Sequence, residues 1–128
     1  MATIINMTPH TINICTPDAV RFDTTIRKWV ADDPATAVIK SIPSEGVLNA
    51  KISTVEGEPI EGIPTFEKNI EGCDPLPDAD SVFIVSALFA SAFIKQGGDP
   101  DRILLVADPV MSTDGKTFVG CRGLAKPF

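Results

Sequence analysis

The chain has 128 residues, of which 17 are acidic and 11 basic, for a formal net charge of −6. A chain of this length buries roughly two-thirds of its unfolded surface and needs no covalent staples, so a single domain over 1–128 is expected. The acidic balance excludes a protein that coats a nucleic-acid duplex by neutralising many phosphates, and leaves open a partner with a basic surface or a small ligand needing one or two cations.

The cysteines, Cys15, Cys73 and Cys121, are odd in number, far apart and in no CxxC arrangement. That pattern predicts free thiols in a reducing compartment, not a disulfide framework or a zinc site. No basic leader precedes an apolar core, and the longest uncharged apolar run, 82–94 (VFIVSALFASAFI), falls short of the roughly 20 residues a membrane span requires. The expectation is a soluble protein with no membrane partner.

In chain order, 3–7 and 11–15 are β-rich runs divided by Thr8-Pro9-His10. Proline cannot donate to a ladder, so Pro9 marks a hairpin or a sharp corner. Residues 18–30 carry Phe22, Ile26 and Val30 at helical spacing, but Thr24, Thr25, Ile26 and Val30 are β-branched, which favours strand. Asp32-Asp33-Pro34 reads as a turn and 36–40 as a short strand ended by Pro43. Between 44 and 80 lie Pro59, Pro64, Pro75, Pro77 and four of the nine glycines, with only 47–55 strand-like. This is a long Pro/Gly-rich loop region or a hairpin with wandering ends.

The apolar run divides at Ser86. Residues 82–85 are β-branched or aromatic, as in a buried strand, whereas 87–96 are helix formers with Leu88/Ala92 and Phe89/Phe93 four apart. A serine at that junction caps the first helical turn, and Gly97-Gly98 supplies a left-handed stop. Residues 102–107 form the next buried strand, giving a βαβ crossover if the two strands are parallel. Asp114-Gly115 between 110–111 and 116–121 signals a C-terminal hairpin. The fold class is therefore α+β: mainly β, a mixed sheet with one principal helix at about 87–96.

The segments Asn6-Met7-Thr8-Pro9-His10-Thr11-Ile12, Gly62-Ile63-Pro64, Phe83-Ile84-Val85-Ser86-Ala87-Leu88 and Gly120-Cys121-Arg122-Gly123-Leu124 carry a resemblance over nearly the full length. In them the chain resembles a family of small bacteriophage and prophage proteins of unassigned function. The resemblance implies a setting in the host bacterial cytoplasm, where small acidic accessory proteins often counter antiviral defence. It supplies no catalytic residues.

Chemistry-bearing residues are sparse. His10, the only histidine, rules out paired-histidine phosphoesterase chemistry, and neither Ser86 nor Ser91 lies in a GxSxG elbow. Asp74, Asp78 and Asp80 do not match a calcium loop, and Gly97-Gly98 follows a helix where a phosphate loop precedes one. Neither a metal, a cofactor nor a catalytic group is expected. The most specific constellation is an edge of the sheet. Ser86 would stand at the carboxyl end of one strand and Asp108 at that of its parallel neighbour, where open α/β sheets bind ligands. Arg27 and Arg122 would add charge-assisted contacts to an anion. With Asn6, Thr8 and His10 at the Pro9 corner, these are the candidate ligand-binding residues; in the alternative, Ser86 is only a cap and Arg122 only a surface residue. Three functions compete: sequestration of a nucleotide-derived signal without catalysis, with a homo-oligomer among the expectations; a protein–protein inhibitor or virion component; and a small nucleotide-degrading enzyme.

Overall fold

In the computed structural model, which describes residues 3–77 and 80–127, strand dominates and the one helix longer than a single turn lies where the apolar run divides. The strands are β1 (Ile4–Asn6), β2 (Ile12–Cys15), β3 (Val20–Asp23), β4 (Lys28–Ala31), β5 (Val38–Ile42), β6 (Ala50–Glu56), β7 (Phe66–Cys73), β8 (Val82–Ile84), β9 (Ile103–Ser112) and β10 (Phe118–Ala125). The helices are α1 (Pro34–Ala37) and α2 (Ala87–Lys95). The α+β, mainly β class with a mixed sheet is as expected.

The sheet runs β1-β8-β9-β10-β2-β5, and the β3–β4 hairpin joins the far half of β9 through β4. Strands β1, β8 and β9 are mutually parallel, as are β2 and β10, while β9–β10 and β2–β5 are antiparallel. Just past β5, Ser44 bridges Asn6 of β1, and the Glu45 N–H donates to the Asn6 carbonyl at 2.9 Å. The two edges of the six-strand run thus meet, and the sheet closes on itself.

Side chains alternate across this closed wall. Ile84, Ile12 and Cys121 pack together with Ile14, Ile42, Leu104 and Leu124 against them, so β2, β5, β8, β9 and β10 all contribute to one apolar cluster. Phe83, Val85 and Ile103, one residue away, point outward and are covered by Phe89 and Ala90 of α2 together with Leu48. A third cluster, Cys15, Ala31, Ala37, Val110 and Val119, lies where β4, α1 and the ends of β9 and β10 converge.

The βαβ unit is present and parallel: Phe83 pairs with Ile103 and Ile84 with Leu104. The Ser86 hydroxyl accepts the Phe89 N–H at 3.1 Å, and Gly97 takes φ +87° just beyond the helix. A Cβ on Gly98 would lie 2.5 Å from the Phe93 ring, which would have to shift to admit it.

Of the two forms expected at Pro9 the segment takes the corner, because β1 pairs with β8 and β2 with β5 and β10. Three local expectations need correction. Residues 18–30 hold two strands, with a turn in which the Asp23 carboxylate accepts the Thr25 N–H at 2.9 Å and Arg27 adopts φ 56°. The strand expected at 36–40 begins only at Val38, because Asp33 caps a single helical turn ahead of it. Finally, β9 does not stop at Ala107 but runs ten residues through Asp108 (φ 47°) and Pro109 to Ser112. A short polar aspartate tolerates the left-handed region, and Pro109 falls between the β8 and β4 pairings of β9.

The described part of the 44–80 region is a hairpin with wandering ends: β6 and β7 form a sheet of their own, antiparallel, with the base of β7 against α2. The Cys73 thiol lies 3.2 Å from Gln96 Oε1 there. Strand β7, with Glu67, Lys68 and Glu71 scattered along it, was hidden in the sequence by its polarity. No helix among the described residues is long and apolar enough to cross a membrane.

Candidate functional site

A cleft of about 670 Å³ opens where β8 ends and α2 begins. Its walls are Val85, Ser86 and Ala87 from that junction, Leu105 and Val106 of β9, Phe118 to Cys121 of β10, Ile12 and Asn13 of β2, and Thr8, His10 and Thr11 from the Pro9 corner. Two parallel strands, β1 and β8, direct their carboxyl ends into it, the edge along which such sheets hold ligands.

One side chain shapes the corner. Asn6 is fully buried, and its amide donates to the His10 carbonyl at 2.8 Å and the Ile42 carbonyl at 2.9 Å. Its carbonyl oxygen accepts the Thr8 N–H at 2.9 Å and the Thr8 hydroxyl at 2.6 Å. All four bonding positions of the amide are used. Asn6 therefore holds the loop that carries Thr8 and His10, without presenting a free group to the cleft. Ser44 adds a second tie, donating to the Thr8 carbonyl at 2.5 Å.

The wall opposite is fixed by close approach. A Cβ on Gly120 would lie 2.5 Å from the Asn13 carbonyl oxygen, so only glycine lets β10 run this near β2. The Asn13 amide in turn reaches the Val119 carbonyl at 3.4 Å, and its oxygen accepts the Ser41 hydroxyl at 2.7 Å.

Of the expected site residues, Thr8, His10 and Ser86 meet at this cleft. Arg27, Asp108 and Arg122 do not. Asp108 and Arg122 face each other across β9 and β10 and pair at 2.9 Å, while the Arg122 guanidinium stacks on Trp29 with its carbon 3.7 Å from the ring centroid. Arg27 and Asp108 line a separate depression of about 330 Å³ with Phe22, Lys28, Trp29, Pro109 and Met111. The separation follows from strand alternation: Cys121 points into the cleft, so Arg122 points to the other face of the sheet. The expected partnership of Ser86 with Asp108 and two arginines is thereby replaced by one of Ser86 with Thr8 and His10. The apolar contribution of Val106 and Phe118, both exposed at the rim, was not anticipated; its signal was an aromatic residue at the outset of the C-terminal strand.

Chemically, the cleft has an apolar body and a hydrogen-bonding rim of Thr8, His10, Thr11, Asn13 and Ser86, with no carboxylate, lysine or arginine in its lining among the described residues. Burial pushes the Cys121 thiol above its ordinary value, although a backbone hydrogen bond opposes this, so it is a poor nucleophile. Burial does the same for Cys15. Among the described residues no group of three or more His, Cys, Asp or Glu side chains is placed to hold a metal ion. Asp78 of the acidic cluster lies outside the described residues, and Asp74 is engaged in holding the start of the hairpin, accepting the Asn49 N–H at 2.8 Å.

Compared with protein-family models, curated proteins and solved structures, the chain matches none.

Proposed function

We propose that this chain is a non-catalytic binding protein that sequesters a small nucleotide-derived ligand in the cleft at Ser86. The observation that carries this reading is the cleft itself: at about 670 Å³ it falls within the 300–1,000 Å³ typical of small-molecule sites. An apolar body accepts the face of a base, and the hydroxyl and amide rim suits a ribose. The absence of lysine and arginine from the lining narrows the ligand to one of low charge, with its phosphate directed outward past His10. Catalysis is disfavoured on chemical grounds. The Ser86 hydroxyl already accepts a helix N–H, and His10 has no carboxylate beside it in the lining to orient it as a base. The resemblance to phage and prophage proteins supports a role in countering host antiviral defence in the bacterial cytoplasm.

The test is calorimetry against a panel of cyclic and ADP-ribose-type nucleotides. One member should bind, be recovered chemically intact, and lose affinity in His10→Ala. A flat response to the whole panel overturns the reading, and a turnover product abolished by His10→Ala favours a nucleotide-degrading enzyme instead.

A further inference from the structure

The β6–β7 hairpin continues past its paired strands as an arm. Gly57 donates to the Thr65 carbonyl at 2.8 Å, and Ile60 and Ile63 exchange backbone hydrogen bonds at 2.8 and 3.0 Å across Glu61-Gly62. Glu61 has φ 51° and Gly62 φ 77°, the pairing of signs found in a tight type I′ turn. The tip is thus closed by a tight turn, and what it presents is apolar: Ile60 is 66% exposed, Ile63 63% and Phe66 60%. Around these, residues 55–67 carry Glu56, Glu58, Glu61 and Glu67 and no base.

On the far side of the closed sheet lies a surface of opposite character. The depression beside Trp29 is lined by Phe22, Met111, Arg27 and Lys28, with Arg122 stacked on the Trp29 ring. Its one lining carboxylate, Asp108, is paired with Arg122, and Asp23 stands in register with Lys28 beside it, so the lining itself holds two basic side chains to one acid in a chain whose net charge is −6. Lys28 also donates to the Gly115 carbonyl at 3.0 Å, keeping its ammonium in place. Exposed aromatic and arginine side chains in a depression are the composition of binding hot spots.

We propose that the acidic, apolar arm tip of one copy docks on the basic aromatic depression of a second copy. Charge and apolar character are complementary on both counts, and the two surfaces belong to one chain. Because the surfaces differ, the contact either repeats head-to-tail into a ring or filament or, where each arm reaches the other copy's depression, closes as a reciprocal pair. The inference is independent of any ligand in the Ser86 cleft, since the two regions share no lining residue.

The test is the mass of the full chain in solution, by light scattering, for wild type, an arm variant (Ile60→Asp with Ile63→Asp) and a patch variant (Phe22→Ser with Arg27→Glu), each checked for cooperative melting. Wild type should exceed monomer mass, and each variant should be monomeric, self-association falling by about tenfold or more. An equimolar mixture of the variants should give a dimer and nothing larger, because one retains a patch and the other an arm. Should the double patch variant fail to fold, Arg27→Glu alone carries the same comparison. A monomeric wild type, a variant of wild-type mass, or a mixture that stays monomeric overturns the proposal.

Discussion

The closed sheet and the β6–β7 arm are built from the same residue types but to opposite ends. In the closed sheet and the helix packed on it, Phe83, Ile84, Phe89, Ile103 and Val110 are removed from water almost completely. In the arm, Val55, Ile60, Ile63 and Phe66 stand in it. An isolated two-stranded hairpin is marginal by itself, and this one is held at its base by α2 and at its tip by a turn that needs two left-handed residues. The difference teaches that apolar character in this chain has two purposes, folding in one region and contact in the other, and perturbations should separate them.

The largest effect is expected at Phe89. It is fully buried between the helix and the outer face of β8 and β9, and it stacks on Phe93 with ring centroids 5.9 Å apart. Phe89→Ala should cost about 3–5 kcal/mol through the forfeited burial and the cavity left behind, measured by urea unfolding. A cost below about 1 kcal/mol, in the range of an ordinary surface change, would mean the α2 cluster is not the core of the fold.

Next is Gly120→Ala. The added methyl would meet a backbone oxygen, which cannot swing aside as a side chain can, so β10 must separate from β2. The expected loss is about 1–3 kcal/mol, with amide exchange increased at Cys121 and Ile14, the pair that joins these strands. Gly62→Ala in the arm should disturb only the turn, because no atom lies within 4 Å of the position and the cost there is confined to φ.

Ser86→Ala should cost about 1 kcal/mol, the usual worth of a helix cap. A loss of that size leaves nearly every molecule folded, so any fall in nucleotide affinity in calorimetry reports the missing hydroxyl in the cleft. Unchanged affinity would reduce Ser86 to its structural duty at the end of β8.

How much of this was readable in the sequence depended on how local each determinant is. The strand, cap, helix and stop over 82–98 are fixed by neighbours within a few residues: Ser86 to Phe89, Gly97 to the helix end. They were legible. Closure of the sheet is fixed by Asn6 meeting Ser44 and Ile42, some 36 positions apart, and by parallel pairings that no turn motif announces. Those were not. Asp108 misled because a proline after an aspartate reads as a strand end, whereas β9 absorbs both in a kink. The Asp114-Gly115 signal located the right hairpin but with five residues, 113–117, between its strands; the tight two-residue turn was hidden in the arm at Glu61-Gly62. Site residues followed the same rule. Thr8 and His10 joined Ser86 through the fold, and Arg122 was separated from it by the alternation of a single strand.

A smaller effect distinguishes the two hairpin ends by pH. The Asp114 carboxylate accepts from the Ser112 hydroxyl, the Lys116 and Thr117 N–H groups and the Thr117 hydroxyl, and these bonds hold it ionised to well below the ordinary carboxylate range. A folded pKa below the unfolded one gives stabilisation that is complete above the unfolded value, at pH ~4, and is lost as pH falls through the folded value. The stability difference between wild type and Asp114→Asn should therefore be present at neutral pH and shrink on acidification below that point. A difference that persists unchanged at acid pH would show that the loop is held by shape and not by the carboxylate.

The smallest expected change in stability is at the arm tip, and it decides what the arm is for. Ile60→Ser removes an apolar side chain that is already two-thirds in water, so folding loses almost none of its burial. Its N–H and carbonyl, which make the turn, are untouched by the substitution. Unfolding free energy should stay within about 0.5 kcal/mol of wild type, when both are measured at a concentration where the chain is monomeric. At concentrations where copies associate, the variant should melt below wild type, because whatever binds only the folded state raises apparent stability with its concentration. A loss of stability that is the same at every concentration would place Ile60 among the folding residues and erase the distinction between the arm and the closed sheet.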